Sequence, residues 1–404
     1  MIKNFVCVIL LFCLMSSCSY KNKETEFKDG DKKLVLAKED EVLNKVLSMS
    51  LDEKIGQLFI VGIDGNEKLS EQDKIFIKDV KVGGIIFFRK NISSVPQTVG
   101  LINEIKNLNE ISGNVPLFLS LDQEGGIVTR LPEDVVKFKS AREIGNINDE
   151  NYAYLHFRLM GEVIRNLGFN MNFAPVLDVY TNKNNRVIGS RSFSSDKEIV
   201  SKMANATLKA FNDEKIISVG KHYPGHGDTN EDSHYELPVL SHDYNRINEI
   251  ELYPFKNLIQ NNIPALLVSH LMYENIDSEN IATTSEIFLQ NILRDGLKFR
   301  GIVITDDMIM KGLTNKYTID EASLKAIKSG VDVILISSGF DDIISSFNKI
   351  KNGVLNGEIS EFELDKKVYN ILRIKKLYEV NNNPVENFDI IEINSKIKNV
   401  LNKN

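Results

Sequence analysis

Eight short apolar runs alternate with helix-like segments along most of this chain, and that alternation limits its fold more than any other feature. Each run is almost continuously hydrophobic at its centre, which is typical of parallel strands covered by helices on both faces. The runs lie at residues 57–63, 83–88, 116–122, 170–178, 217–223, 264–271, 301–306 and 331–337. Their number predicts an α/β fold, a single (β/α)8 barrel, with an open doubly wound sheet as the alternative.

Helix start and stop signals lie between the runs. Ser50 and Ser94 each precede a Glu or Gln by three residues, so both fit a capping box. A helix over about residues 151–167 should end at Gly168. No glycine-rich fingerprint follows the first run, and Gly125-Gly126 after the third lacks the G-x-G-x-x-G spacing. The barrel is therefore favoured over the open sheet.

The first 40 residues differ from the rest of the chain. A short basic start and an apolar run over residues 5–15 precede Ser16-Ser17-Cys18, which resembles a bacterial lipoprotein signal with Cys18 as the lipid-bearing first mature residue. A plain signal peptide and an uncleaved anchor are the alternatives. We expect residues 1–17 to be the signal, 18–40 a flexible tether, 41–382 the barrel and 383–404 a polar tail.

This N-terminal pattern predicts an envelope protein, held on a membrane surface by its lipid, with a soluble body outside the cytoplasm. All three cysteines lie at or before Cys18, so the mature chain has no pair of thiols for a disulfide or a thiolate metal site. The formal net charge is -7, and lysines are interspersed with acids. No basic face for nucleic acid is expected, nor any cofactor, and we expect a monomer.

Polar residues interrupt five of the eight runs at their carboxyl-terminal ends. They are Asp122, Asp178, Lys221 with His222, Ser269 with His270, and Asp306 with Asp307. A single buried polar residue at a strand end is usually structural, but five such ends are difficult to explain by packing alone. Because barrel enzymes carry their chemistry at this end, the pattern predicts the active site there.

The densest polar segment follows the fifth run. It comprises residues 221–229, Lys-His-Tyr-Pro-Gly-His-Gly-Asp-Thr, and then Asp232-Ser233-His234. Asp232 and His234 would lie on one face of an extended segment, where the carboxylate orients the imidazole and raises its pKa. A histidine in that position can donate a proton to a leaving group and take one from water. The glycines in this segment suggest a loop that can move.

Two other interpretations of the same segment remain open. Zinc is one, with the candidate ligands His222, His226, Asp228, Asp232 and His234. Pro224 and the glycines argue against the helix that would place His222 and His226 on one face. A purely structural histidine cluster is the other interpretation.

The motifs together resemble a known family. Residues 221–229 with Asp232-Ser233-His234 are similar to the signature of bacterial β-N-acetylglucosaminidases of glycoside hydrolase family 3, and the similarity covers about residues 45–380. Further matches are Asp122-Gln123-Glu124-Gly125-Gly126 with Arg130, and residues 172–179, 188–193 and 301–308. The chain departs from the family at Ile127, where Arg is frequent, and at Tyr223, where Phe is commoner.

The resemblance implies a retaining, exo-acting β-N-acetylhexosaminidase that removes N-acetylglucosamine from peptidoglycan fragments or related glycosides. It implies Asp306 as nucleophile, with Asp307 as the less favoured candidate, and His234 as acid/base with Asp232 as its partner. The residues implied to hold the sugar are Asp122, Arg130, Arg191, Lys221 and His222. No second α/β/α domain is expected.

Three points stay open at this stage. Water and phosphate are both possible acceptors, because a histidine acid/base tolerates an anionic reactant. A β-glucosidase of the same fold is an alternative activity, and it differs in the pocket for the sugar's 2-position. A surface sugar-binding lipoprotein without catalysis is the third possibility, and the intact Asp306, Asp232 and His234 argue against it.

Overall fold

The computed structural model describes residues 40–230, 235–386 and 389–402. The strands are β1 Phe59–Gly62, β2 Gly84–Phe87, β3 Phe118–Leu121, β4 Met171–Asn172, β5 Ile217–Tyr223, β6 Val239–Leu240, β7 Ala265–Val268, β8 Met272–Tyr273, β9 Ile302–Thr305 and β10 Ile334–Ile336. All but β6 and β8 form one 8-stranded parallel sheet in the order β10-β1-β2-β3-β4-β5-β7-β9. The strands thus follow one another in chain order.

Contacts between β9 and the approach to β10 bring the two ends of the sheet together. Ile304 forms a parallel bridge with Val333. The amide of Thr305 donates to the carbonyl of Val333 at 3.0 Å, and the amide of Leu335 donates to the Thr305 hydroxyl at 2.9 Å. A sheet whose strands follow chain order and whose two edge strands meet is a barrel. The (β/α)8 prediction is therefore confirmed, and the alternative of an open doubly wound sheet is wrong.

Helices surround the barrel. The α-helices are Glu41–Ser48, Leu51–Gly56, Glu71–Ile75, Val95–Ile111, Ala141–Ile147, Glu150–Leu167, Lys197–Asp213, Tyr244–Glu249, Leu252–Gln260, Lys311–Thr314, Ile319–Ser329, Phe340–Leu355, Glu361–Leu377 and Ile390–Leu401. Phe76–Val80 and Ile287–Gly296 are π-helical, and short 3₁₀ turns lie at Arg89–Asn91, Gly189–Arg191 and Ala282–Thr284.

The helix ends test the sequence signals directly. The Ser50 hydroxyl accepts from the amide of Glu53, and the Ser50 amide donates in return to the Glu53 carboxylate, so this capping box is confirmed. Ser94 accepts from the amide of Gln97 as predicted, but the Gln97 side chain bonds the amide of Ser93 instead of returning to Ser94. The second capping box is therefore only half formed. Gly168, at φ 100°, ends its helix as predicted.

The fourth strand is much shorter than the run that predicted it. Residues 170–178 were expected to be extended throughout, whereas β4 comprises only Met171–Asn172. Pro175 has no amide hydrogen, so a regular ladder cannot continue through it. Individual hydrogen bonds to β5 replace the ladder. One of them runs from the amide of Leu177 to the carbonyl of Lys221 at 2.5 Å. This path carries Asp178 inward, where it is completely buried.

The proposed signal, Cys18 and nearly all of the tether lie outside the described residues, so those boundaries stay predictions. At the other end, the helix Ile390–Leu401 folds back against Glu150–Leu167. Ile393 and Ile397 are buried there, and Lys396 pairs with Glu162 at 3.1 Å. In the part of the chain that the structure describes, no helix has the length and apolar character needed to cross a membrane.

The amino-terminal end of the barrel, opposite the predicted site, holds a buried lysine. Lys375 Nζ donates to Gln57 Oε1 at 2.7 Å and to the carbonyl of Gly83 at 2.9 Å. It also lies 4.8 Å from the centroid of the Phe118 ring. All of these partners are neutral, so burial dominates and lowers the pKa of Lys375 to about 7.

We predict that Lys375→Met changes how stability depends on pH. The folded-state pKa of about 7 lies below the value of about 10.4 for a lysine in an unfolded chain. Between these values the unfolded state binds more protons, so this lysine makes the native protein more stable as pH rises. The free energy of unfolding of the native protein, relative to that of the variant, should therefore rise by up to about 1.4 kcal/mol per pH unit in that window.

Urea titrations at several pH values between 7 and 10 measure this difference. The matched control is Lys376→Met, because Lys376 is the exposed next residue of the same helix and pairs with Glu41 on the surface. Parallel pH profiles for the native protein and Lys375→Met would contradict the prediction.

Candidate active site

A buried lysine joins two strand ends at the carboxyl-terminal mouth of the barrel. Lys221, on β5, is almost fully buried, and its Nζ lies 2.7 Å from Asp122 Oδ1 and 2.7 Å from Glu124 Oε1. Asp122 directly follows β3 and is partly exposed. Burial alone would lower the pKa of Lys221, but the two carboxylates outweigh it and raise that pKa. The structure thus brings together two of the predicted sugar-holding residues.

Glu124 shares its charge between two cations. Arg191 binds it through both carboxylate oxygens, Nε to Oε2 at 2.9 Å and Nη2 to Oε1 at 2.8 Å. Burial would raise the pKa of Glu124, but Arg191 and Lys221 together lower it below its usual range. The sequence pattern includes Glu124 in the motif of residues 122–126 but predicts no role for it. Its position two residues after Asp122 was the signal that could have identified it.

His222 lies between an acidic side chain, Asp178, and a basic one, Arg191. Its Nδ1 lies 2.6 Å from Asp178 Oδ2, and its Nε2 lies 3.1 Å from Arg191 Nη2. An arginine can only donate, so Nε2 must offer its lone pair and the ring proton resides on Nδ1, facing Asp178. Burial would raise the pKa of Asp178, but His222 and the amide of His226 outweigh it and lower that pKa.

Arg191 and Arg130 occupy different surroundings, although the sequence suggested similar roles. Arg191 belongs to the buried network, and only 12% of its side chain is exposed. Arg130 is joined to the third-strand loop, where its amide donates to Gln123 Oε1 at 2.9 Å and its Nη1 to the carbonyl of Thr129 at 3.3 Å. Its Nε is buried and has no hydrogen-bond partner among the described residues. Arg130 therefore has donor capacity to spare beside the site.

The two aspartates after β9 are used differently. Asp307 Oδ1 accepts from the amide of Ser337 at 3.0 Å, which ties it to the segment after β10. Burial raises the pKa of Asp307 to about 6. Asp306 is partly exposed, and its Oδ1 accepts from the amide of Asp307 at 2.9 Å. This geometry gives Asp307 a structural use, while both aspartates are partly exposed.

The loop after β5 is fixed at both of its described ends. Asp228 accepts from Thr181 at 2.7 Å and pairs with His242 Nε2 at 2.6 Å. A Cβ at Gly227 would lie 1.9 Å from the carbonyl oxygen of Val179, so close packing accounts for glycine there. Beyond the loop, β6 pairs with β8, a small sheet that the sequence did not predict. Asp232 and His234 lie in the interval 231–234, outside the described residues.

The zinc interpretation involved three residues whose surroundings are described. His222 is held by Asp178 and Arg191, His226 Nδ1 lies 2.8 Å from Thr229 Oγ1, and Asp228 pairs with His242. Within residues 40–230, 235–386 and 389–402, no group of three or more His, Cys, Asp or Glu side chains is arranged to hold a metal ion. Donors and acceptors alternate instead, an arrangement suited to a polyhydroxylated ligand.

Comparisons with known proteins agree with this architecture. The sequence model described as the glycosyl hydrolase family 3 N-terminal domain matches residues 50–374. A beta-hexosaminidase from Nitrosomonas eutropha is 33% identical over 279 residues, which cover 68% of this chain and 78% of that protein. Beta-hexosaminidase A from Pseudoalteromonas piscicida is 34% identical over 272 residues, 63% of this chain, and the match spans only 46% of that longer protein.

A solved structure is similar over most of the fold. It is a glycoside hydrolase family 3 beta-N-acetylglucosaminidase from Paenibacillus sp. str. FPU-7, with a TM-score of 0.84 and 32% sequence identity. The similarity covers 87% of this chain and 68% of that one. The barrel is therefore similar to that of a protein that carries this name.

We predict that Glu124→Gln lowers the free energy of unfolding by about 3 kcal/mol at neutral pH, because Arg191 and Lys221 lose a buried counter-charge. The pKa of Glu124 is lowered in the folded state, so its stabilisation is complete above the usual carboxyl range and is lost as pH falls below it. The variant should therefore lose less stability than the native protein on acidification.

Urea unfolding at neutral and acidic pH measures both effects. Glu133→Gln is the matched control, because Glu133 makes an exposed ion pair with Arg89 at 2.9 Å. Such a pair contributes little, so the control should unfold much as the native protein does. Equal losses in the two variants would show that the buried network is not what stabilises this end of the barrel.

Proposed function

Because the chain belongs to family 3 of the glycosyl hydrolases, and is a glycoside hydrolase, we propose that it is a retaining, exo-acting β-N-acetylhexosaminidase. It removes terminal N-acetylglucosamine, and peptidoglycan fragments or related amino-sugar glycosides are its substrates. The observation that carries the proposal is the buried network of Asp122, Lys221 and their partners at the same end of the barrel as Asp306. The beta-hexosaminidase names of the similar proteins support the N-acetyl specificity.

The network suits the recognition of a sugar ring because it offers fixed donors and acceptors. Asp122 presents a carboxylate, while Lys221 and His222 present polar groups held at 2.6–2.7 Å by their own partners. Groups fixed before the substrate arrives lose little freedom on binding, which favours both affinity and orientation. Arg130, which is partly exposed on the third-strand loop, supplies a further donor group for the hydroxyls or the N-acetyl group. Arg191 contributes by holding Glu124 and His222 in place.

The reaction proceeds by double displacement. Asp306 attacks the anomeric carbon and forms a covalent glycosyl-enzyme, while His234 protonates the departing oxygen. His234, oriented by Asp232, then takes a proton from water as it attacks the same carbon, and this restores the β configuration. An imidazole carries no negative charge, so it tolerates an anionic leaving group, and phosphate is an acceptor that the same mechanism admits. We place the enzyme in the cell envelope on the sequence of its N-terminus alone.

We predict that Asp306→Asn lowers kcat for 4-nitrophenyl N-acetyl-β-glucosaminide by about 10³-fold or more, since the nucleophile is lost. Asp307→Asn is the matched control, because asparagine keeps an oxygen that accepts from the Ser337 amide. Its kcat should stay within about tenfold of the native value.

Azide distinguishes a lost nucleophile from a distorted site. Added to Asp306→Ala, it should restore turnover and give the glycosyl azide of α configuration, which NMR identifies. If Asp307→Asn proves as inactive as Asp306→Asn, or if azide rescues the Asp307 variant instead, the assignment of Asp306 is wrong.

We predict that the effect of His234→Ala depends on the leaving group. A sugar alcohol needs protonation as it departs, so turnover of N,N′-diacetylchitobiose should fall by about 10²–10⁴-fold. A 2,4-dinitrophenolate leaves without help, so formation of the glycosyl-enzyme from that glycoside should be nearly unchanged. Pre-steady-state bursts measure this step directly, and Asp232→Asn should give the same pattern in weaker form. If the rates on both substrates fell equally, His234 would not be the general acid.

A further inference from the structure

The chain after the helix Glu361–Leu377 is fastened to the outside of the barrel. Asn103, on the helix Val95–Ile111, donates to the carbonyl of Val385 at 3.2 Å and accepts from the amide of the same residue at 2.7 Å. One residue thus exchanges two hydrogen bonds with another, as opposed residues do in an antiparallel β-pair. The helix Ile390–Leu401 follows this attachment, so it starts from a fixed point.

One side chain of the helix Ile390–Leu401 reaches the loop after β3. Asn394 Nδ2 donates to the carbonyl of Asp134 at 2.7 Å, and its Oδ1 accepts from the amide of Val136 at 2.8 Å. Bonds to the residues on either side of Val135 are those that a residue of a parallel neighbouring strand would make. The side-chain amide therefore holds this part of the loop as a β-ladder would.

The other part of the loop is held from the barrel side. Gln123 Oε1 accepts from the amide of Arg130 at 2.9 Å and from that of Leu131 at 3.3 Å. Gln123 is itself fixed, because its amide donates to Asn172 Oδ1 at 2.9 Å and its carbonyl accepts from Asn172 Nδ2 at 2.8 Å. Gln123 directly follows Asp122, so the backbone of Arg130 is tied to the strand end that carries a predicted sugar-holding residue.

A packed turn connects the two parts of the loop. The amide of Val135 donates to the carbonyl of Pro132 at 3.1 Å, and the side chains of Leu131 and Val135 are buried in the core. A closed, close-packed turn transmits a displacement from one end to the other. The position of Arg130 therefore depends on the bonds that Asn394 makes to the far side of the turn.

We propose that Asn394 is a positioning residue for the sugar site: it holds the loop after β3 from outside the barrel and so sets where Arg130 lies. The inference rests on the proposed hexosaminidase function, in which Arg130 donates to the hydroxyls or the N-acetyl group. Asn394 acts through the loop, from a helix that follows the barrel in the sequence. An amide is required because it donates and accepts at once, whereas a carboxylate only accepts.

Two variants separate the two bonds of Asn394. Alanine loses both, while Asn394→Asp keeps an acceptor for the Val136 amide and loses the donor to the Asp134 carbonyl. Arg130 holds the sugar in the ground state and in the transition state alike, so Asn394→Ala should raise KM for 4-nitrophenyl N-acetyl-β-glucosaminide by about fivefold while kcat changes less than about twofold. Asn394→Asp should raise KM by a smaller factor.

Asn399→Ala is the matched control, because Asn399 is an exposed asparagine of the same helix. Its KM should equal that of the native enzyme. Urea unfolding of all the variants measures any loss of stability separately. If Asn394→Ala is less stable but keeps the native KM, Asn394 only stabilises the fold and the proposal is overturned.

A double-mutant cycle shows whether Asn394 acts through Arg130. Arg130→Ala should raise KM by itself, and adding Asn394→Ala should then raise it little further, because the guanidinium that the loop positions is already gone. If the two effects on KM multiply in full, the residues act independently and the proposal is overturned.

Amide hydrogen exchange tests the contact without catalysis. Peptides covering residues 129–136 should exchange faster in Asn394→Ala than in the native protein, and at the native rate in Asn399→Ala. Unchanged exchange in Asn394→Ala would overturn the proposal. If instead the native enzyme does not hydrolyse the 4-nitrophenyl glycoside, the proposed function fails, and the exchange rates still show whether Asn394 holds the loop.

Discussion

The contact of the buried Lys221 ammonium group with two carboxylates is the interaction on which the carboxyl-terminal end of the barrel depends. A buried cation must be neutralised, and Asp122 and Glu124 do so at 2.7 Å each. Glu124 then has a second oxygen to satisfy, and Arg191 satisfies it. Arg191 also contacts one ring nitrogen of His222, and the other ring nitrogen of His222 contacts the carboxylate of Asp178. One buried charge thus recruits a chain of partners that fixes the strand ends relative to each other.

Two buried lysines show how strongly the neighbouring groups decide the pKa of a lysine. Lys221 and Lys375 lie at opposite ends of the barrel, and burial opposes the charge of both. Carboxylates raise the pKa of Lys221, so it stays a cation. Lys375 meets only a side-chain amide, a carbonyl and a ring, and its pKa falls to about 7. The same residue type is thus a paired charge at one end of the barrel and a packing element at the other.

The sequence predicted the barrel because apolar runs report burial directly, and it placed Asp122 and Lys221 at the correct end. It could not predict which charges pair, since Lys221 and Asp122 are 99 residues apart and no local pattern records the contact. For the same reason Glu124 was overlooked as a partner of Lys221 and Arg191. β4 is shorter than its apolar run because Pro175 has no amide hydrogen to donate to the ladder. The strands β6 and β8 have two residues each, which is too short to produce a periodic signal in the sequence.

The fixed network also limits where proton transfer can come from. An acid/base residue must change its protonation state in each turnover, so a histidine that burial keeps neutral is unsuited to the role. Among the described histidines, His156 is packed against aromatic rings, and His226 is buried with its Nδ1 at 2.8 Å from Thr229 Oγ1. Burial lowers the pKa of His226 to about 4 and that of His156 to about 3, which keeps both neutral. A histidine held neutral in this way is a poor proton donor near neutral pH, which is a physical reason to seek the acid/base of the proposed reaction outside the buried network.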